Sequence, residues 1–109
     1  MNPLHEATKV LGFYCDNLVL MLEQALEDYC NAEVKNEKEL AIIDAKKYSA
    51  QLALLEPFYT PDGNKKEASQ LPKLCNLLGQ ESFQDNKEQT LLLTKIFRLI
   101  NQLPVTGWR

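Results

Sequence analysis

The amino-acid sequence predicts an all-α fold, an elongated antiparallel bundle of three long helices and one short one. Three observations carry this expectation. Leu, Glu, Lys, Gln and Ala dominate the 109 residues, while only four glycines and five prolines are present, a composition suited to helices and not to short strands joined by many turns. Apolar residues recur at three- and four-residue steps over long segments. Polar stretches and prolines part those segments and stop the spacing. The pattern places helices over 3–33, 37–55, 70–78 and 86–103, a loop over 56–69 and a tail over 104–109, all within one domain.

Asn2-Pro3 opens the first helix with an amide-accepting side chain and a proline whose fixed φ suits a first turn. Leu4, Ala7, Leu11, Tyr14, Leu18, Leu22, Ala25, Leu26 and Tyr29 then form a seam, with Val10, Phe13, Leu20 and Met21 beside it. Asn31 to Glu39 is mostly polar, and Asn36 with Glu39 resembles a capping box that starts a second helix near Glu37. Along that helix Ala41, Ala45, Tyr48, Leu52 and Leu55 again step by four and three, flanked by Ile42 and Leu54, until Pro57 ends it. Thr60-Pro61-Asp62-Gly63 reads as a type I turn. A short third helix starts around Ser69, keeps Pro72 in its first turn and carries Leu71, Leu74, Leu77 and Leu78 before Gly79. Asp85 and Glu88 form a further cap-like pair ahead of the last helix, which Pro104 stops.

The lengths are uneven. A first helix over 3–33 would run roughly 46 Å and the second and last nearer 28 Å each, so either the first helix breaks near Gly12 or the molecule is elongated with part of an apolar stripe uncovered. Eight of the thirteen residues from Leu91 to Leu103 are apolar and point in nearly every direction around their helix, more than one packing face requires. Leu92, Leu93, Ile96, Phe97, Ile100 and Leu103 are therefore the expected partner-binding residues. The single tryptophan, Trp108, is either a seventh anchor or a cover folded back on the bundle.

Bulk properties narrow the function classes. A formal charge of -3 argues against nucleic acid, which usually selects a basic face; Lys46-Lys47 and Lys65-Lys66 read as solvated surface. The longest apolar run, Leu18 to Leu22, is far too short to span a bilayer, and no leader-like segment opens the chain. A cytoplasmic location is expected. Cys15, Cys30 and Cys75 are odd in number and widely spaced, which suggests buried thiols and neither a disulfide framework nor a zinc site.

Catalytic raw material is scarce. The one histidine, His5, sits beside Glu6 in the first turn and cannot supply a di-iron bundle's two Glu-x-x-His pairs. Glu23 and Glu27 share a face that looks solvated, since Leu22 and Leu26 mark the buried side. No phosphate-cradling glycine motif occurs. No enzyme activity, cofactor or metal is expected.

Glu23-Gln24-Ala25-Leu26 resembles the Glu-rich stretch with Ala-Leu in the first helix of small flagellar, or type III, export chaperones of the FlgN and FliT type. Asp44-Ala45-Lys46-Lys47 before Leu52 and Leu54-Leu55 is similar to their acidic-Lys segment, and Asp85-Asn86-Lys87 before Leu91-Leu92-Leu93 to the opening of their last helix. The sequence departs from many such chains where Lys87, and not glycine, follows Asn86. The resemblance implies a cytosolic, non-enzymatic secretion chaperone that shields a helical segment of a flagellar subunit through its final helix. Two other readings stay open: a self-associating structural bundle, a coiled-coil-like homodimer through its long first helices, and a small transcription or phage-type regulator.

Overall fold

Helix α1 runs unbroken from Pro3–Asn31, passing straight through Gly12, which faces inward one turn before Cys15. The computed structural model describes residues 3–59, 67–80 and 86–103, with side chains over 11–56, 68–80 and 87–103. Within these, the other elements are α2 (Lys35–Tyr59), α3 (Glu67–Leu78) and α4 (Asn86–Gln102), and no strand is present among the described residues. The Thr60 to Gly63 turn, Asp85, the side chain of His5 and the whole tail with Trp108 lie outside the described residues.

Helix ends differ from the sequence expectation for local reasons. The first helix stops at Asn31, two residues early, and α2 starts at Lys35, two residues before Glu37. The Val34 carbonyl accepts the Lys38 amide at 3.2 Å, while Glu39 pairs with Lys35 at 4.0 Å and is not a capping partner of Asn36. At the other end α2 continues through Pro57 to Tyr59. A proline deletes one backbone donor and bends the chain, but two more residues can follow it before the helix is lost. Helix α3 starts earlier than Ser69, so Pro72 is its sixth residue and not part of its first turn. Its opening amide at Ala68 donates to Glu56 Oε2 of α2 at 2.9 Å. That carboxylate caps α3 from outside, satisfying one of the donors a helix start leaves over. Leu103 falls just beyond α4, its amide on the Ile100 carbonyl at 3.2 Å.

The chain folds back on itself from α1 to α2 and again from α2 to α3. Tyr14 Oη donates to Gln51 Oε1 at 3.4 Å, and Lys38 Nζ lies 5.1 Å from the Tyr29 ring centroid, so early α1 meets late α2. Contacts of Glu56 with Ala68 and of Ile42 with Gly79 make α2 and α3 antiparallel as well. The interfaces decline in the order α1 with α2, α2 with α3, α3 with α4, and α1 barely touches α4. The molecule measures 52 × 25 × 18 Å with a radius of gyration of 14.9 Å, against about 13 Å for a rounded domain of this size. It is the elongated bundle.

One cluster joins all four helices: Leu18, Leu22 and Leu26 from α1, Ala45 and Leu52 from α2, Leu71 and Cys75 from α3, Ile96 and Ile100 from α4. Small residues let α2 and α3 approach closely, Ser49 being fully buried opposite Cys75 with its hydroxyl on the Lys46 carbonyl at 3.0 Å. Gly79 closes the same interface. A Cβ built there would stand 2.8 Å from Ile42 Cγ2, so Gly79→Ala should lower stability by about 1–3 kcal/mol through overpacking. Urea unfolding reads this directly, and a neutral or stabilised variant would contradict the contact.

Candidate functional site

Helix α4 divides its apolar residues between two sides. Leu92, Ile96, Ile100 and Leu103 are buried in the core, at successive steps of four, four and three on one face. This corrects the expectation that all six apolar residues of the last helix serve a partner: the bundle itself consumes these four, because α3 offers them a leucine face. Leu93 and Phe97 are half-buried. They sit one residue further round the helix and pack on the rim of the core, turning their open sides to a groove.

That groove is shallow and open to solvent, with a volume of about 760 Å³, and follows α4 from Thr90 to Gln102. Thr90, Leu93, Thr94, Phe97 and Asn101 form its length on one face of the helix, three, four, seven and eleven residues on from Thr90, and Cys30 is its one lining residue from α1. The space exists because α1 and α4 scarcely meet: the bundle has three helix interfaces and leaves the fourth side open. The floor is apolar and the rim polar, with Arg98 and Gln102 at its edges. The Thr94 hydroxyl donates to the Thr90 carbonyl at 2.8 Å, which satisfies it within its own helix.

A second apolar surface lies elsewhere and was not singled out from the sequence. Phe13, Tyr14, Leu20 and Met21, expected in or beside the α1 seam, are exposed. So are Leu40, Ile43 and Leu54 of α2, at 64%, 60% and 76% of their full accessibility. The signal for the α2 set was present as Leu40, Ile43, Lys47, Ala50 and Leu54, a second three-four repeat. Lys47 and Ala50 interrupt its hydrophobicity and hid it.

No group of three His, Cys, Asp or Glu residues able to hold a metal occurs among the described residues. Glu27 is exposed, and Glu23 half-buried. No described helix is long and apolar enough to cross a membrane. The cysteines are all free, Cys15 and Cys75 buried as expected but Cys30 exposed, a correction that follows from its place on the open side of α1. Burial pushes the Cys75 thiol up, with the Ser49 hydroxyl and Lys46 pulling the other way; burial also raises Cys15, helped by the Asp16 charge. Thiol reagents attack the thiolate. Partial burial raises the Cys30 thiol as well, with Lys38 pulling it down and Glu27 up, so the contrast rests on access: iodoacetamide at pH 8 should modify exposed Cys30 at least about 100-fold faster than the two buried thiols, which wait for local opening. Equal rates, read by peptide mass spectrometry, would contradict the packing of α1 and α3.

No protein-family model, curated protein or solved structure matches this chain.

Proposed function

We propose that the chain is a non-enzymatic protein-binding module that holds an amphipathic helix of a partner in the groove between α4 and α1. The observation that carries this reading is the open fourth side of the bundle, with Leu93 and Phe97 presented along it. A helix laid in a groove buries residues spaced by three and four, and the groove wall presents Thr90, Leu93, Thr94, Phe97 and Asn101 on one such face. Helix α4, at 17 residues, gives it a length of about 25 Å, the span of four to five turns of a guest helix. The polar rim fixes the guest's register, while the apolar floor supplies affinity. Of the partners that fit, the resemblance to export chaperones favours a helical segment of a secreted, flagellar-type subunit, shielded in the cytoplasm until export.

The test is positional. A photo-crosslinker at Thr94, against a control at the exposed Lys73 of α3, should join the chain to a helical segment of one partner only from the groove position. Asn101→Arg, which fills the groove without touching the core, should abolish that adduct. Adducts formed equally at both positions, or mapping to a non-helical partner segment, would overturn the reading.

A further inference from the structure

We propose that a second copy of this chain packs antiparallel on the outward face of α2. Of the nine large apolar side chains that stay exposed among the described residues, eight belong to α1, α2 or their connection and only Leu91 to α4. On α2 the exposed set is ordered. Leu40, Ile43, Lys47, Ala50 and Leu54 follow steps of three, four, three and four, the repeat that two packed helices share as a seam. The seam points away from Ala41, Ala45 and Leu52, which face the core, so occupying it costs the monomer none of its own packing. The outer faces of α1 and α2 meet beside it, where Tyr14 bonds Gln51 and where Asp28 and Leu40 share a shallow depression.

Charge selects the occupant and its direction. Lys47 stands in the middle of the seam, and Asp44 directly beside it; within one chain the Lys47 ammonium lies 5.4 Å from the Tyr48 ring centroid. In an antiparallel pair centred between residues 43 and 47, each Lys47 stem crosses Ile43 of the other copy and its ammonium reaches that copy's Asp44. Leu40 then meets Ala50, large against small. A parallel in-register copy instead sets Lys47 against Lys47 and Glu39 beside Asp44, both repulsive. The antiparallel pair also brings Lys46 across from Lys46 and Asp44 across from Asp44, and it is favoured over the parallel one because each Lys47 ammonium then has an Asp44 carboxylate within reach. Leu40 to Leu54 spans about 21 Å, a short contact, so the dimer belongs at the weak end of specific interfaces, with a dissociation constant on the order of 10 μM.

Sedimentation of the intact chain from about 1 to 100 μM tests this, covering both sides of that constant. A monomer–dimer equilibrium is expected. Ile43→Asp should raise the dissociation constant at least about tenfold, with an unchanged far-UV spectrum because Ile43 is exposed. Lys47→Glu should weaken the dimer similarly, and Lys47→Glu combined with Asp44→Lys should restore it, since the swapped pair is again self-complementary. Asn101→Arg in the α4 groove should leave it unchanged, which separates this interface from the partner site. A monomer at every concentration would overturn the proposal, as it would if the seam serves a different protein's helix. So would a dimer that survives Ile43→Asp, or a charge swap that fails to restore association.

Discussion

Leu52→Ala should lower the stability of the chain by about 2–5 kcal/mol, while Leu54→Ala, two residues away on the same helix, should change it by no more than about 0.5 kcal/mol. Leu52 is fully buried where α2 packs against both α1 and α3, and Leu54 is 76% exposed. Removing the Leu52 methyl groups leaves a cavity between three helices that cannot collapse without moving one of them. For a domain of this length the loss corresponds to a fall in Tm of about 10–30 °C. Differential scanning calorimetry of the two variants checks the pair. Equal effects would mean that α2 does not turn the face described here toward the core.

Ile96→Asp should unfold the chain, whereas Leu91→Asp should leave it folded. Ile96 is fully buried and Leu91 is 63% exposed, both on α4. A carboxylate at position 96 has no cation or donor to meet it among the leucines of α3, and an uncompensated buried charge costs more than about 4 kcal/mol. That is a large share of the about 5–15 kcal/mol that holds a domain of this kind together. The contrast carries a practical consequence. From the apolar spacing alone, Ile96 looks like a surface on which to disrupt partner binding; a negative charge there would abolish binding by unfolding, and say nothing of the interface. Far-UV circular dichroism separates the two outcomes, and a native spectrum for Ile96→Asp would place α4 in the wrong rotation.

The helices and their order were legible in the sequence because long three-four repeats such as Leu18, Leu22, Leu26 and Leu71, Leu74, Leu78 leave little choice of period. In α2 two repeats compete: Ala41, Ala45, Leu52 is the less apolar, yet it is the buried one, because its small side chains let α1 and α3 approach closely. The steps of four and three through Ala41, Ala45, Tyr48, Leu52 and Leu55 picked out the inward side correctly, and only Leu54, expected to flank that seam, turns out exposed. In α4 the excess of apolar residues was visible, but not that Ile96 and Ile100 would be taken by α3 while Leu93 and Phe97 would be left at the edge. That division depends on where α1 stops and how far it lies from α4, a long-range matter. Pro57 and Pro72 were read by local rules as boundaries, and tertiary contacts such as the Glu56 cap on Ala68 carried the helices past those boundaries.

The proposed guest helix lies in the groove between α4 and α1 and the proposed second copy on the outward face of α2, so the two occupants use separate surfaces. The decisive measurement is amide chemical-shift mapping of the intact chain titrated with a synthetic peptide of the partner segment captured at Thr94. The expected shifts gather at Cys30, Thr90, Leu93, Thr94 and Phe97. Shifts centred instead on α3, or on Leu40, Ile43 and Leu54, with the groove residues unmoved, would contradict the account.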